Sequence, residues 1–162
     1  MRNYTKPNER KRKMQKSNCS PTQIEFAAGD VFDAKSFGAD GLAVFRSGLS
    51  EIRADGTEHR RDGKFNDSFT VVRYIDTDGG KVENTEDMRQ LLDAVLGELA
   101  AAGCRTIAMN GIRVQTRPDM HTRPEKYQIE SIREWLAGHP GVFEKICLID
   151  RRDGFNHADE KL

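Results

Sequence analysis

The sequence predicts an α/β protein, a three-layer α/β/α sandwich around a mixed, largely parallel sheet. Short apolar runs alternate with amphipathic stretches from residue 24 to residue 150, the pattern of strands joined by crossover helices. One run, Leu42-Ala43-Val44-Phe45, is apolar at four consecutive positions, as a strand covered on both faces must be. Met88, Leu91, Leu92, Val95, Leu96 and Leu99 recur at helical spacing and form one stripe suited to lie on a sheet. A length of 162 residues fits one domain around one core.

Residues 1–22 carry almost no apolar side chains and are expected to be a disordered basic tail ahead of a single domain at 23–162. The neutral net charge hides an asymmetry. Residues 1–20 hold seven Lys/Arg against one acid, Glu9, so the rest holds 19 basic against 25 acidic residues. The tail fits either a solvated segment or a contact with nucleic acid or an acidic partner. The first strand is expected over 24–32, IEFAAGDVF, with 33–40 as a connector and the second strand at 41–47. Two Asp-Gly pairs, Asp55-Gly56 and Asp62-Gly63, suit tight turns in a hairpin or loop between 48 and 68. A third strand is expected at 68–76, rich in β-branched and aromatic residues. The helix that follows, at about 85–102, has Asn84 as cap, Asp87 in its first turn and Gly103 just past its end. Residues 106–110 form a buried strand. Thr122 and Glu125 are spaced as a capping box, with Pro124 in the first turn of a helix whose inner face carries Ile129, Ile132 and Leu136. KICLID (145–150) is the last strand, and residues after it read as a tail.

Several chemistries are excluded. No apolar run is long enough to span a bilayer. There is no GxGxxG after a strand and no GxxxxGK[ST], so the usual dinucleotide and triphosphate cradles are missing. The four histidines are scattered, no CxxC occurs and no GxSxG occurs, so neither a metal site, a cofactor nor a serine nucleophile is expected. Three widely spaced cysteines fit a reducing cytoplasm.

The loop 111–123 is the richest candidate site. It leaves a buried strand, enters a helix N-terminus and carries Arg113, Gln115, Arg117, Asp119, His121 and Arg123. Ligands of open α/β sheets bind outside the carboxyl ends of the strands. Gly111 permits close backbone approach, and arginine forks suit phosphate or carboxylate, as does a helix N-terminus. The same arginines could equally be solvated. Asp30, closing the first strand, could accept from a ligand amine or serve only as a turn residue. Phe155 could stack on a base or be a core aromatic over the sheet end.

IEFAAGDVF, DMRQLLDAVLGELAAAGCRTIAMNGI and RPEKYQIESIREWLAGHPGVFEKICLIDRRDGFN together resemble the macro domain, the ADP-ribose-binding α/β/α module, over roughly residues 24–156. The resemblance implies that Asp30 meets the adenine amine, that Phe155 and Asn156 lie by the adenine and ribose, and that Asn110, Gly111 and Ile112 are what remains of the second phosphate loop, with Arg113 and Arg123 beyond it. Val44-Phe45-Arg46-Ser47 stands where the family usually has an Asn-Ala-Ala-Asn motif, no glycine-rich loop follows, and the first half is short. The asparagine used in hydrolysis has no counterpart. The resemblance thus implies binding of ADP-ribose or a related nucleotide without the usual hydrolase activity. Two alternatives stand beside it: a hydrolase of a phosphorylated or ADP-ribosylated substrate using Asp119 or His121 as acid or base, and a non-catalytic interaction module whose residues 1–22 contact nucleic acid.

Overall fold

A computed structural model describes residues 21–46, 68–76, 82–112 and 124–160. The expectations for the tail, for 48–67 and for Thr122 as a cap lie outside the described residues. The elements run β1 (Gln23–Ala28), a 3-10 helix (Val31–Phe37), β2 (Gly41–Arg46), β3 (Val71–Asp76), α1 (Thr85–Ala101), β4 (Thr106–Met109), α2 (Pro124–Gly138), β5 (Lys145–Asp150) and α3 (Gly154–Glu160). The strands form one sheet in the order β1-β5-β4-β2-β3, and every described pairing is parallel.

Side-chain alternation divides the core between the two faces of the sheet. Ala43 and Phe45 of β2, Ile107 and Met109 of β4, and Ile146 and Leu148 of β5 face α1, α2 and α3. Leu42, Val44, Ala108, Cys147 and Ile149 face the other way, against Val31 and Ala34 of the 3-10 helix and against Phe69. The unbroken apolar runs of β2 and β5 follow from this double coverage. On α1, Met88, Leu92, Val95, Leu96 and Leu99 are buried and Leu91 packs at the margin. Each buried side chain of that size contributes roughly 1.5–3 kcal/mol relative to exposure, so the stripe, more than helix propensity, holds α1 in place. The Asn84 side chain accepts from the Asp87 N–H at 2.8 Å, and Gly103 ends the helix at φ +89°.

Three boundaries differ from the sequence reading. The first strand stops at Ala28, not at 32. Gly29 takes φ +152°, and the Asp30 carboxylate accepts from the Phe32 N–H at 2.9 Å, which caps a 3-10 helix where a strand end and connector were expected. Val31 and Phe32 are apolar because that helix is packed on the sheet. The third strand starts at Val71, since Ser68–Thr70 form a turn and bend tied through the Thr70 N–H to the Asp40 carbonyl at 2.7 Å. The segment after β5 contains a helix, α3, anchored by buried Phe155 and Ala158.

Cys104 and Cys147 are free, buried thiols. Burial pushes both up, from 9.0 to about 11, with Asp40 adding to the effect at Cys104 and Glu25 at Cys147, where Lys145 opposes it. In the folded protein these thiols hold their protons to higher pH than in the unfolded chain. Their contribution to stability is therefore present below pH 9 and is lost as the pH rises towards 11. Urea midpoints measured at pH 8, 9.5 and 11 are expected to fall in that order, and Cys104→Ala/Cys147→Ala to flatten the fall.

Candidate functional site

Because the strands are parallel, all five carboxyl ends lie along one edge. At that edge two neighbours part company. The chain leaves β1 towards the 3-10 helix on one face, whereas it leaves β5 towards α3 on the other. In open α/β sheets such divergence is where a ligand crevice forms. The Gly29 N–H donates to the Asp150 carbonyl at 3.0 Å, joining the two strand ends. One lip is Asp30. Its Oδ1 is taken by the Phe32 N–H, while Oδ2 lies 3.4 Å from Arg151 Nη2. Arg151 is 77% exposed and Asp30 35%, so this is a solvated pair of small energy that a competing donor can displace. The other lip is 150–156. Asp150 Oδ2 accepts from the Gly154 N–H at 2.9 Å, Asp153 sits at φ +57°, and Asn156 Nδ2 donates to Asp153 Oδ1 at 2.8 Å. A Cβ on Gly154 would lie 2.7 Å from Asp150 Oδ2 and 3.0 Å from Glu125 Oε2, so glycine brings both carboxylates together beside the start of α2.

The exit of β4 is held by two amides. Asn110 Oδ1 accepts from the Phe45 N–H at 2.7 Å and Nδ2 donates to the Phe45 carbonyl at 3.0 Å, which prolongs the β2–β4 pairing by one side chain. Gln128, fully buried on α2, accepts from the Ile112 N–H at 2.9 Å and donates to the Asn110 carbonyl at 3.0 Å. The backbone around Gly111 is thereby pinned from both sides. Gly111 itself faces Phe155, whose Cζ would be 3.7 Å from a Cβ at that position.

The structure therefore gathers Asp30, Asn110, Gly111, Ile112, Phe155 and Asn156 along one edge. Their side chains differ in what they offer. Asp30 presents a displaceable oxygen. The Asn110 amide and the Ile112 N–H are engaged within the fold, and Asn156 is engaged with Asp153. Phe155 is fully buried and stacked on Phe26, ring centroids 6.4 Å apart. Arg113 and Arg123, with Gln115, Arg117, Asp119 and His121, lie outside the described residues. Sequence reasoning missed Gln128 and the Arg151–Asp30 pair. Gln128 left one trace, since it shares a stripe at i, i+4 and i+7 with Ile132 and Trp135, a polar residue where an apolar one is due. Among the described residues, no group of three or more His, Cys, Asp or Glu is arranged to hold a metal ion, and no helix is long and apolar enough to cross a membrane.

This arrangement is a macrodomain fold. The chain is similar to the Trypanosoma brucei macrodomain, with a TM-score of 0.63 and 15% identity over 86% of this chain and 66% of that one. Crystal structures of the T. brucei macrodomain in complex with ADP (TM-score 0.61, 15% identity, 85% of this chain and 69% of that one) and with ADP-ribose (0.61, 16%, 86% and 68%) are similar to it as well. The chain thus spans about two thirds of the length of each. No protein-family model matches the sequence, and no curated protein matches it.

Proposed function

We propose that this protein binds a nucleotide-type ligand, ADP-ribose or a close relative, in the crevice at the carboxyl edge of the sheet, without hydrolysing it. The observation that carries the reading is Asp30 itself. A carboxylate oxygen stands at the point where β1 and β5 diverge, held in place through its other oxygen and, among the described residues, paired with an exposed arginine. That oxygen suits an adenine amine. The described part of the edge is rich in acceptors, Asp30, Asp150 and Glu125, which fits the base and ribose end of such a ligand. The diphosphate would meet the α2 N-terminus, with Arg113 and Arg123 as its charge partners. The T. brucei macrodomain crystallised with ADP and with ADP-ribose supports the ligand class. Binding without turnover is favoured because both asparagines of this edge are engaged within the fold, Asn110 with Phe45 and Asn156 with Asp153. Two buried free thiols suit a reducing compartment, and we place the protein in the cytoplasm.

Calorimetric titration with ADP-ribose, ADP and AMP tests the proposal. Saturable heat below about 1 mM ADP-ribose is expected, with no release of product on prolonged incubation. Asp30→Asn is the discriminating variant. Asparagine can still accept from the Phe32 N–H, but its amide nitrogen cannot accept from a ligand amine. It should weaken binding about tenfold, the loss of one hydrogen bond to a charged acceptor, while the melting temperature stays put. No heat with any of the three nucleotides at millimolar concentration would sink the proposal.

A further inference from the structure

A cavity lies away from the strand ends, between α1 and α2. It has a volume of about 360 Å³ and is walled by Glu86, Arg89 and Asp93 of α1 and by Ser131, Glu134 and Trp135 of α2. Its charge is negative: three carboxylates face one guanidinium. Arg89 is shared between Glu86 and Glu134, donating to both. Asp93 accepts from the Trp135 indole N–H at 3.1 Å, and the indole is stacked on His139, ring centroids 3.8 Å apart. At its base, Ser131 is only 7% exposed, and its hydroxyl has no hydrogen-bond partner among the described residues. A buried hydroxyl without a partner marks a place where a polar group is awaited. A cavity of this size with an excess of carboxylate suits a cationic side chain.

We propose that this groove is the docking site of the chain's own basic segment, residues 1–20. Charge and position both point there. The segment carries seven Lys/Arg against one acid, concentrated in Arg10-Lys11-Arg12-Lys13. It joins the fold beside the groove. Thr22 Oγ1 donates to the Phe143 carbonyl at 2.6 Å, and the Phe143 ring lies 5.7 Å from that of Trp135, which lines the groove. From Thr22, residues 10–13 reach roughly 30–40 Å of extended chain. Tethering at so short a span gives an effective concentration in the millimolar range, enough for a weak ionic contact to be populated. A docked lysine or arginine competes with Arg89 for Glu86 and Glu134 and offers a donor to Ser131. The inference is independent of the nucleotide-binding reading, since the groove and the strand-end crevice share no residue.

Trp135 is the only tryptophan in the chain, so energy transfer from it to an acceptor dye reads the position of the segment directly. In the full chain carrying Cys19→Ser and Asn8→Cys, the thiol at position 8 is labelled, Cys104 and Cys147 being buried. Transfer is expected to fall about twofold between ~0.1 and ~1 M salt as screening shortens from ~10 to ~3 Å. Glu86→Gln/Glu134→Gln should lower it to the same level at low salt, and Arg89→Gln, by removing the competing cation, should raise it. Transfer indifferent to the groove variants would overturn the proposal and leave the segment free for nucleic acid. Transfer that grows with protein concentration would overturn it in favour of a second copy.

Discussion

Replacing Gln128 with methionine is expected to lower the unfolding free energy by about 2–5 kcal/mol, at nearly unchanged side-chain volume. The amide of Gln128 is the partner of the Ile112 N–H and of the Asn110 carbonyl, at 2.9 and 3.0 Å. Methionine removes both partners and leaves the buried Ile112 N–H and the half-buried Asn110 carbonyl unpaired beneath α2, at about 1–3 kcal/mol for each group left unsatisfied. No comparable cavity is created, so the loss reads the hydrogen bonds and not the packing. The urea midpoint at constant slope measures it. Ligand affinity should fall as well, because Gly111 and Ile112 are then free to shift at the crevice. A change of under about 0.5 kcal/mol would mean that β4 is held at its exit by Asn110 alone.

That residue also shows where sequence reading stops. The stripe on α1 and the apolar runs of β2, β4 and β5 are legible because burial leaves a period in the sequence. They are enough for the sheet and for α1 and α2. Gln128 was not legible, because its role depends on backbone groups sixteen and eighteen residues away. Nothing local distinguishes a glutamine that clamps a loop from one that faces water. The end of β1 misled for a different reason. Val31 and Phe32 continue the apolar pattern of 24–28, and only the positive φ of Gly29 and the cap made by Asp30 reveal that the chain has turned. Helix α3 was passed over because seven residues with apolar side chains only at 155 and 158 fall below any periodic signal. Its helical form is imposed by Phe155 entering the core.

Phe155→Ala should be among the most damaging single substitutions in the described core, costing about 3–5 kcal/mol. In a chain of this length that corresponds to a fall of roughly 6–20 °C in melting temperature. The ring is fully buried, stacked on Phe26, and ordinary packing distance from Gly111. It fixes the first turn of α3, whose start is already determined by the left-handed Asp153 and by the bond from the Gly154 N–H to Asp150. Phe155→Leu separates this from a base-stacking role. Leucine fills most of the space but presents no aromatic face. If Phe155 acts as the floor beneath the lip, Phe155→Leu keeps most of the stability and holds nucleotide affinity within about threefold, since only packing has been trimmed. If instead the ring is the platform on which a base lies, Phe155→Leu leaves the melting temperature nearly unchanged and costs about tenfold or more in affinity, the contribution of one aromatic stack. The burial of Phe155 against Phe26 makes the first outcome the expected one, with Asp30, not the aromatic, carrying recognition of the base.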